Sequence, residues 1–454
     1  MRKKAKFMVI SLVVLVLFVM SGIFSCVPAT PTPPATPSPT PTKPPVKEIK
    51  IGVILPLSGP LAPTGKSLKE GTDLAAEIVN HKYPELKISI AQWEGIPSLG
   101  GAKIKLIYAD SRGDPAWGAD QAKRLIRDEK VIGLLGCYQS SVTKTASVEA
   151  ERAGIPFVNP DSTSPALTKR GLEWFWRVTP HETWFTKDLF DFLDGLVAGK
   201  ARGIKPVPKE EIDTLAVAAE NTEWGSAALK EIEKFAAERG YKIVESFKYP
   251  HKAADLTSES RRLIASGADC YLFASYVADA ILFIKTLKEL HAAPHLIWGQ
   301  DAGFIIPDFY KTLGADVNGI LTRDLFSPEL GEVKPVAGLL NKMYKERTGY
   351  NFSGSSARDF VGVQVWAHAL NNAASTDPEA LRKALNELYI PGEELIMPWK
   401  GVKFGSPFPG DTHQNELGSG VINQYQGWPN GKLQVVYPFD FATADLIYPF
   451  PGWK

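Results

Sequence analysis

The feature that most limits what this chain can fold into is an alternation of short apolar runs with longer amphipathic stretches, and it occurs twice. Ile49–Leu55 reads as a strand that stops at Pro56, and a helical pattern covers Thr64–Asn80. Strand patterns at Lys103–Ala109, Val131–Leu135 and Ile155–Val158 then alternate with helical ones at Pro115–Asp128 and Val142–Arg152. The alternation returns as strands Thr214–Ala219, Tyr241–Phe247, Cys270–Ala274 and Leu296–Trp298, separated by helices Trp224–Arg239, Leu256–Ser266 and Ala278–Leu290. Such alternation implies parallel sheets with right-handed crossovers. The expected fold class is therefore α/β, with two doubly wound lobes. The first series ends near Arg177 and the second begins near Asp213. Helical stretches Val333–Arg347, Ala357–Asn372 and Pro378–Leu388 follow, before a tail rich in Pro, Gly and aromatics from Met397. The expected division is 47–178 for lobe one, 179–325 for lobe two, 326–418 for a return to lobe one, and 419–454 for a lobe-two and crossover tail.

The start of the chain has a different character. Arg2, Lys3, Lys4 and Lys6 precede an apolar run, Phe7–Met20, broken only by Ser11. This reads as a secretion signal. It ends in Ile23-Phe24-Ser25-Cys26, which looks like a bacterial lipobox, so residues 1–25 are expected to be a signal peptide and Cys26 the lipidated residue. The alternative is an uncleaved membrane helix at the short end of spanning length. Both readings put the bulk of the chain outside the cytoplasmic membrane. Residues 27–46 contain nine Pro and five Thr, too few backbone donors for helix or sheet. Such a segment favours extended polyproline II and is expected to be a lipid-anchored tether, 26–46.

Composition excludes several functions. Of the 454 residues, 44% are apolar and 22% charged, which is globular composition. Lys and Arg number 51 against 50 Asp and Glu, so the basic excess of a nucleic-acid binder is missing. Three cysteines are too few for a disulfide scaffold, and Cys137 and Cys270 are expected to be free buried thiols.

No enzyme motif of good specificity is present. Gly59–Ser67 follows a strand and opens a helix as a phosphate loop would, but five residues separate Gly59 from Gly65-Lys66-Ser67 where four are needed. Pro60 and Pro63 also remove N–H groups on which such a loop depends. No G-x-S-x-G elbow occurs. His291 and His295 flank Pro294 with no carboxylate at zinc-site spacing, so neither a metal nor a cofactor is expected.

What remains is a binding architecture. In open α/β sheets the ligand sits beyond the carboxyl ends of the strands. Two hydroxyl-rich loops fall there in lobe one, Cys137–Thr143 (CYQSSVT) and Asn159–Pro165 (NPDSTSP). Each opens a helical turn, whose free N–H groups suit an anion, although Ser and Thr also serve there simply as caps. In lobe two, Trp224 within Glu220–Gly225 (ENTEWG), Tyr276, and Gln300-Asp301 follow strands. An acid and aromatics would then face hydroxyls across a cleft.

Ile51–Gly65 (IGVILPLSGPLAPTG) resembles the opening of the bacterial periplasmic leucine/isoleucine/valine-binding protein family. Tyr108–Pro115 (YADSRGDP), Ala153–Pro156 (AGIP), Ser164–Thr168 (SPALT), Trp176–Pro180 (WRVTP) and Thr443–Pro449 (TADLIYP) match as well. The resemblance spans roughly residues 49–454. It implies a type I periplasmic binding fold, with lobes joined by three crossover segments and closing on ligand by a hinge, that feeds an ABC importer. It also implies roles. Ser140 matches the hydroxyl that holds an amino-acid carboxylate, and Ser162 and Ser164 match the loop that shares this task. Asp301 matches the acid that pairs the ligand ammonium, and Trp224 and Tyr276 match the aromatic walls. Thr64 stands where an aromatic is sometimes found. Tyr138 and Gln139 are bulkier than their counterparts in the branched-chain binders, and Gln139 replaces half of a disulfide found in some members. Asp301 is shorter than the usual glutamate.

The expected protein is a non-enzymatic, monomeric, extracytoplasmic lipoprotein. It would capture a small polar solute, an amino acid or close relative, and deliver it to an ABC permease. Binding of amides, urea or aromatic acids is the alternative within the fold. A ligand-sensing receptor module acting on a signalling partner is the alternative outside it.

Overall fold

The structure is a computed structural model and describes residues 47–453. The expected signal peptide, Cys26 and the tether 26–46 lie outside the described residues.

Two sheets form the body. The first runs, edge to edge, Tyr389–Pro391, Gly401–Gly405, Gln414–Asn415, Phe175–Arg177, Phe157–Asn159, Leu134–Gly136, Glu48–Leu55 and Lys103–Asp110. From Gln414–Asn415 to Lys103–Asp110 all neighbours are parallel, and Ile51 registers with Leu106. The second runs Lys432–Tyr437, Val421–Gln426, Leu321–Asp324, Leu296–Gly299, Cys270–Ala274, Thr214–Glu220 and Lys242–Tyr249. Its last five strands are parallel, and the first two are antiparallel additions. The chain passes between the sheets three times, after Arg177, after Asp324 and after Asn415. This is the expected α/β class with two lobes and three crossovers.

Central strands are covered by helices on both faces, which is why they read as continuous apolar runs rather than alternating ones. In Glu48–Leu55, Ile51, Val53, Ile54 and Leu55 are all fully buried. The returning helix Gly354–Ala373 is buried around nearly its whole circumference, packed on helix Ala62–Asn80. A helix apolar on every side belongs inside a protein. Among the described residues, no helix is long and apolar enough to cross a membrane.

Some elements differ from expectation. The third strand pairs at Leu134–Gly136 rather than Val131–Leu135, because the ladder begins only where the chain lies beside Gly52–Ile54. Helix Glu182–Val197 and strand Leu321–Asp324 (LTRD) escape the sequence reading. The latter is buried along its length, yet two of its four residues are charged. Gly65 serves packing and not phosphate: a Cβ there would collide with the Pro56 carbonyl. Cys137 and Cys270 are separate buried thiols, one in each lobe.

Candidate functional site

The loops that leave the parallel strands at their carboxyl ends face one another between the two sheets. Lobe one supplies Cys137–Gln139, which leads into helix Ser140–Ala153, and Pro160–Ser164 after strand Phe157–Asn159. Lobe two supplies the starts of helices Glu223–Arg239 and Val277–Glu289, and the turn after strand Leu296–Gly299. Together they close on a space of about 10 Å³, room for roughly one water, so the two lobes stand shut on each other and a solute needs them to part.

Six of the expected residues come together here or border the space. Tyr138, Ser140, Trp224, Tyr276 and Asp301 line it. Ser140 is the first residue of its helix, and its Oγ accepts the Ser164 N–H at 3.2 Å. The Ser164 hydroxyl reaches across to Glu223 at 3.3 Å, beside the Lys144–Glu223 ion pair at 2.9 Å, so these contacts tie lobe to lobe. The Tyr276 ring stands between Trp224 (centroids 5.0 Å) and Tyr138 (5.4 Å), making one continuous aromatic wall. The Trp224 Nε1 donates to Glu182 at 2.9 Å, which fixes the indole plane. Burial raises the Tyr138 and Tyr276 phenols well above their ordinary value, so both are neutral.

Two expectations are corrected. Ser162 does not line the space: its hydroxyl donates to the Cys137 carbonyl at 2.6 Å and bonds Thr143 at 2.6 Å, holding the two lobe-one loops together. Gln139 turns away, its amide lying against Gly113. Thr64 is likewise buried outside the lining.

The structure adds groups that sequence reasoning missed. Asp161, Thr163 and Arg358 also line the space. Arg358, on the returning helix, lies 2.5 Å from Asp161 Oδ1 and 3.1 Å from Asp301 Oδ2 through the same Nη2. Arg323, on the unread strand, reaches Asp301 Oδ2 at 3.0 Å and Glu182 at 3.5 Å, with its guanidinium over the Phe185 ring. Glu182 also accepts from Thr163 at 2.5 Å and from Gln300 at 2.7 Å. Asp301 thus sits between two guanidiniums, and its backbone has φ of 61° and ψ of −139°, a region costly for any side chain.

The electrostatics follow from burial. Desolvation works against the Arg358 charge, yet Asp161 and Asp301 hold it above its ordinary value. Burial pushes Asp161 up to about 6 against the pull of Arg358. It pushes Asp324 to about 8, so that carboxyl is neutral at pH 7. The sequence marked Arg358 as a charge in need of a partner, though not which one: Arg358 and Asp359 are the only Asp, Glu, Lys or Arg residues in helix Gly354–Ala373, and buried charges are rare unless they are partnered.

Comparison with known proteins agrees with this fold. The family described as "Periplasmic binding protein" matches residues 48–413. The chain is 29% identical over 413 residues to Leu/Ile/Val-binding protein homolog 7 of Brucella suis, covering 88% of this chain and 94% of that one. Among solved structures, the branched-chain amino acid transporter substrate binding protein LivJ from Streptococcus pneumoniae, in complex with isoleucine, superposes with a TM-score of 0.68 at 18% identity, over 86% of this chain and 100% of that one. A solute binding protein of an ABC transporter from Rhodopseudomonas palustris, in complex with 3,4-dihydroxy benzoic acid, gives 0.69 at 17%, over 89% and 99%. Two sheets joined by three crossovers, a cleft lined from both lobes and a family match over most of the length lead to one conclusion: the chain belongs to the periplasmic binding protein family and is similar to the Leu/Ile/Val-binding proteins.

Proposed function

We propose that this protein captures a small zwitterion, an amino acid or close relative, and hands it to an ABC permease from a lipid anchor on Cys26. The observation that carries the solute class is a surplus of unpaired acceptors in the cleft. Asp161 Oδ2 and Asp301 Oδ1 are buried and accept no hydrogen bond. Around them, three carboxylates (Asp161, Asp301, Glu182) meet two guanidiniums (Arg323, Arg358), because Asp324 is neutral. An ammonium brings donors to both oxygens and balances the charge. The solute carboxylate then falls to the Ser140 hydroxyl and the free N–H groups of its helix start, where charge-assisted bonds in a partly dry site are strong. Trp224, Tyr276 and Tyr138 supply the apolar wall that selects the side chain. Asp301 acts here as one of two acids, sharing the ammonium with Asp161 while its other oxygen stays with the arginines. The lipobox and tether support an extracytoplasmic, membrane-anchored protein.

A second reading has its own support. Arg358 beside three aromatic rings suits an aromatic carboxylate, and the Rhodopseudomonas palustris relative is in complex with 3,4-dihydroxy benzoic acid.

A thermal-shift panel on the full-length protein separates the two. A ligand at a hundredfold excess over its dissociation constant raises stability by about 2.7 kcal/mol. Hits among amino acids, absent with their deaminated analogues, are expected. Hits confined to benzoates would retire the ammonium assignment, and silence across both sets would retire the proposal.

A further inference from the structure

Next to the aromatic wall, outside the solute cavity, three side chains able to bind a metal converge. Glu220 ends strand Thr214–Glu220, His251 follows strand Lys242–Tyr249, and Asp279 lies in the first turn of helix Val277–Glu289. The ligating atoms are all within 4.8 Å of one another. His251 Nδ1 is 3.3 Å from Glu220 Oε2 and 3.3 Å from Asp279 Oδ2. A tetrahedral ion with bonds of about 2.0–2.1 Å to nitrogen and oxygen has N···O edges of about 3.3 Å. The spacing therefore already matches such an ion.

Two buried carboxylates share a single imidazole here. Glu220 and Asp279 are 0% and 1% exposed, and the imidazole is their sole ionic partner among the described residues. One N–H cannot point at two oxygens, and Glu220 Oε2 accepts no hydrogen bond. A buried carboxylate left so is costly. The outer atoms are arranged as supports for first ligands. Asp279 Oδ1 accepts the Ala253 N–H at 3.0 Å and Glu220 Oε1 accepts the Tyr276 N–H, while the Lys252 N–H reaches the inner Asp279 Oδ2 at 3.0 Å. Such outer bonds fix the orientation of metal ligands.

We propose that Glu220, His251 and Asp279 form a binding site for a divalent transition-metal ion of the zinc class, with a fourth position open to water. One imidazole and two carboxylates are a donor set suited to such ions. The ion takes the neutral imidazole, so its binding releases the proton that Nδ1 otherwise carries. It also ties the His251–Ala253 loop to the helix that follows Tyr276, whose ring lies 5.3 Å from that of His251 and lines the solute cavity. The ion would position that wall whatever the solute.

The test is zinc titration of the full-length protein after chelator dialysis. One zinc per chain retained through gel filtration and a rise in melting temperature are expected. His251→Gln should weaken zinc binding at least tenfold and abolish the rise. Retention of no zinc by the parent protein, or equal retention by the variant, overturns the site. Should the variant not fold, cobalt in the parent protein decides: intense visible bands of four-coordinate cobalt support the site, and weak six-coordinate bands or none overturn it.

Discussion

The two lobes are built alike and finished differently. In both, a glycine in the first helix after the first strand lets the helix close on the strand end: a Cβ on Gly65 would strike the Pro56 carbonyl, and one on Gly225 the Glu220 carbonyl. In both, the parallel strands aim their loops at the cleft. Lobe one then offers hydroxyls, helix-start N–H groups and the Asp161–Arg358 pair, whereas lobe two offers Trp224, Tyr276 and the Arg323–Asp301 pair. The scaffold sets where the loops of the two lobes meet, and the loops set the chemistry that each lobe brings there. Among the described residues, Arg358 alone bridges the two sets of acids, one from each lobe.

Removing that bridge should have the largest effect. Arg358→Ala leaves Asp161 buried without its cation and Asp301 with Arg323 alone. Breaking a buried charge pair by deleting one partner costs about 3–5 kcal/mol. The denaturant midpoint should fall accordingly with an unchanged slope. A loss below about 1 kcal/mol would mean that the two lobes' acids are not held through this residue.

The crossover between the lobes gives the next effect, through pH. His181 caps helix Glu182–Val197, is fully buried, and meets Asp411 of lobe one at 3.1 Å. Burial pulls its pKa from 6.5 down to about 4, against the pull of Asp411, so the folded state holds it neutral. Between those values the unfolded chain binds the extra proton. This contribution is present above 6.5 and is lost as pH falls towards 4, at up to about 1.4 kcal/mol per pH unit. In His181→Gln the stability-versus-pH curve should lose one proton's worth of slope in that window. An unchanged slope would place the charge response elsewhere in the crossover.

Much of this contrast between lobes was legible in the sequence, and the exceptions have physical causes. Tyr138, Ser140, Trp224, Tyr276 and Asp301 follow strands, so the rule for parallel sheets points at them directly. Ser162 belongs to the same hydroxyl cluster, but its side chain faces the Cys137 carbonyl, and spacing cannot tell a cap from a ligand. Arg323 was hidden because LTRD does not look like a strand. It is buried as one because Asp301 and Glu182, brought from other elements, face the Arg323 charge, while burial keeps Asp324 protonated. Arg358 was hidden because it enters lobe one on a helix that returns only after lobe two is complete, so no local pattern links it to Asp161.

The acid itself tests the division of labour. Asp301→Asn keeps the shape and one acceptor but removes the charge offered to an ammonium. A hydrogen bond to a charged group is worth about 1.5–3 kcal/mol, so solute affinity should fall roughly ten- to a hundredfold. Asp301→Gly should lose affinity similarly while relieving the backbone strain at φ 61°, and so should melt no lower than the asparagine variant. Equal affinity in the parent and both variants would shift the ammonium to Asp161 and make lobe one the holder of both ends.

The smallest effect should come from Trp224, and it separates two things that lobe two does with one side chain. The indole presents a face to the cavity and a single N–H, 2.9 Å from Glu182. Trp224→Phe keeps most of the face and removes the donor. Glu182 retains Thr163 and Gln300 as donors, so it is not left bare, and the loss of one bond should cost about 1 kcal/mol of stability. Solute affinity should change less than threefold if the wall acts by shape alone. Trp224→Ala removes the wall as well and should weaken binding much further. If phenylalanine and alanine weaken binding equally, the donor rather than the face matters, and lobe two would recognise its solute by polarity, as lobe one does.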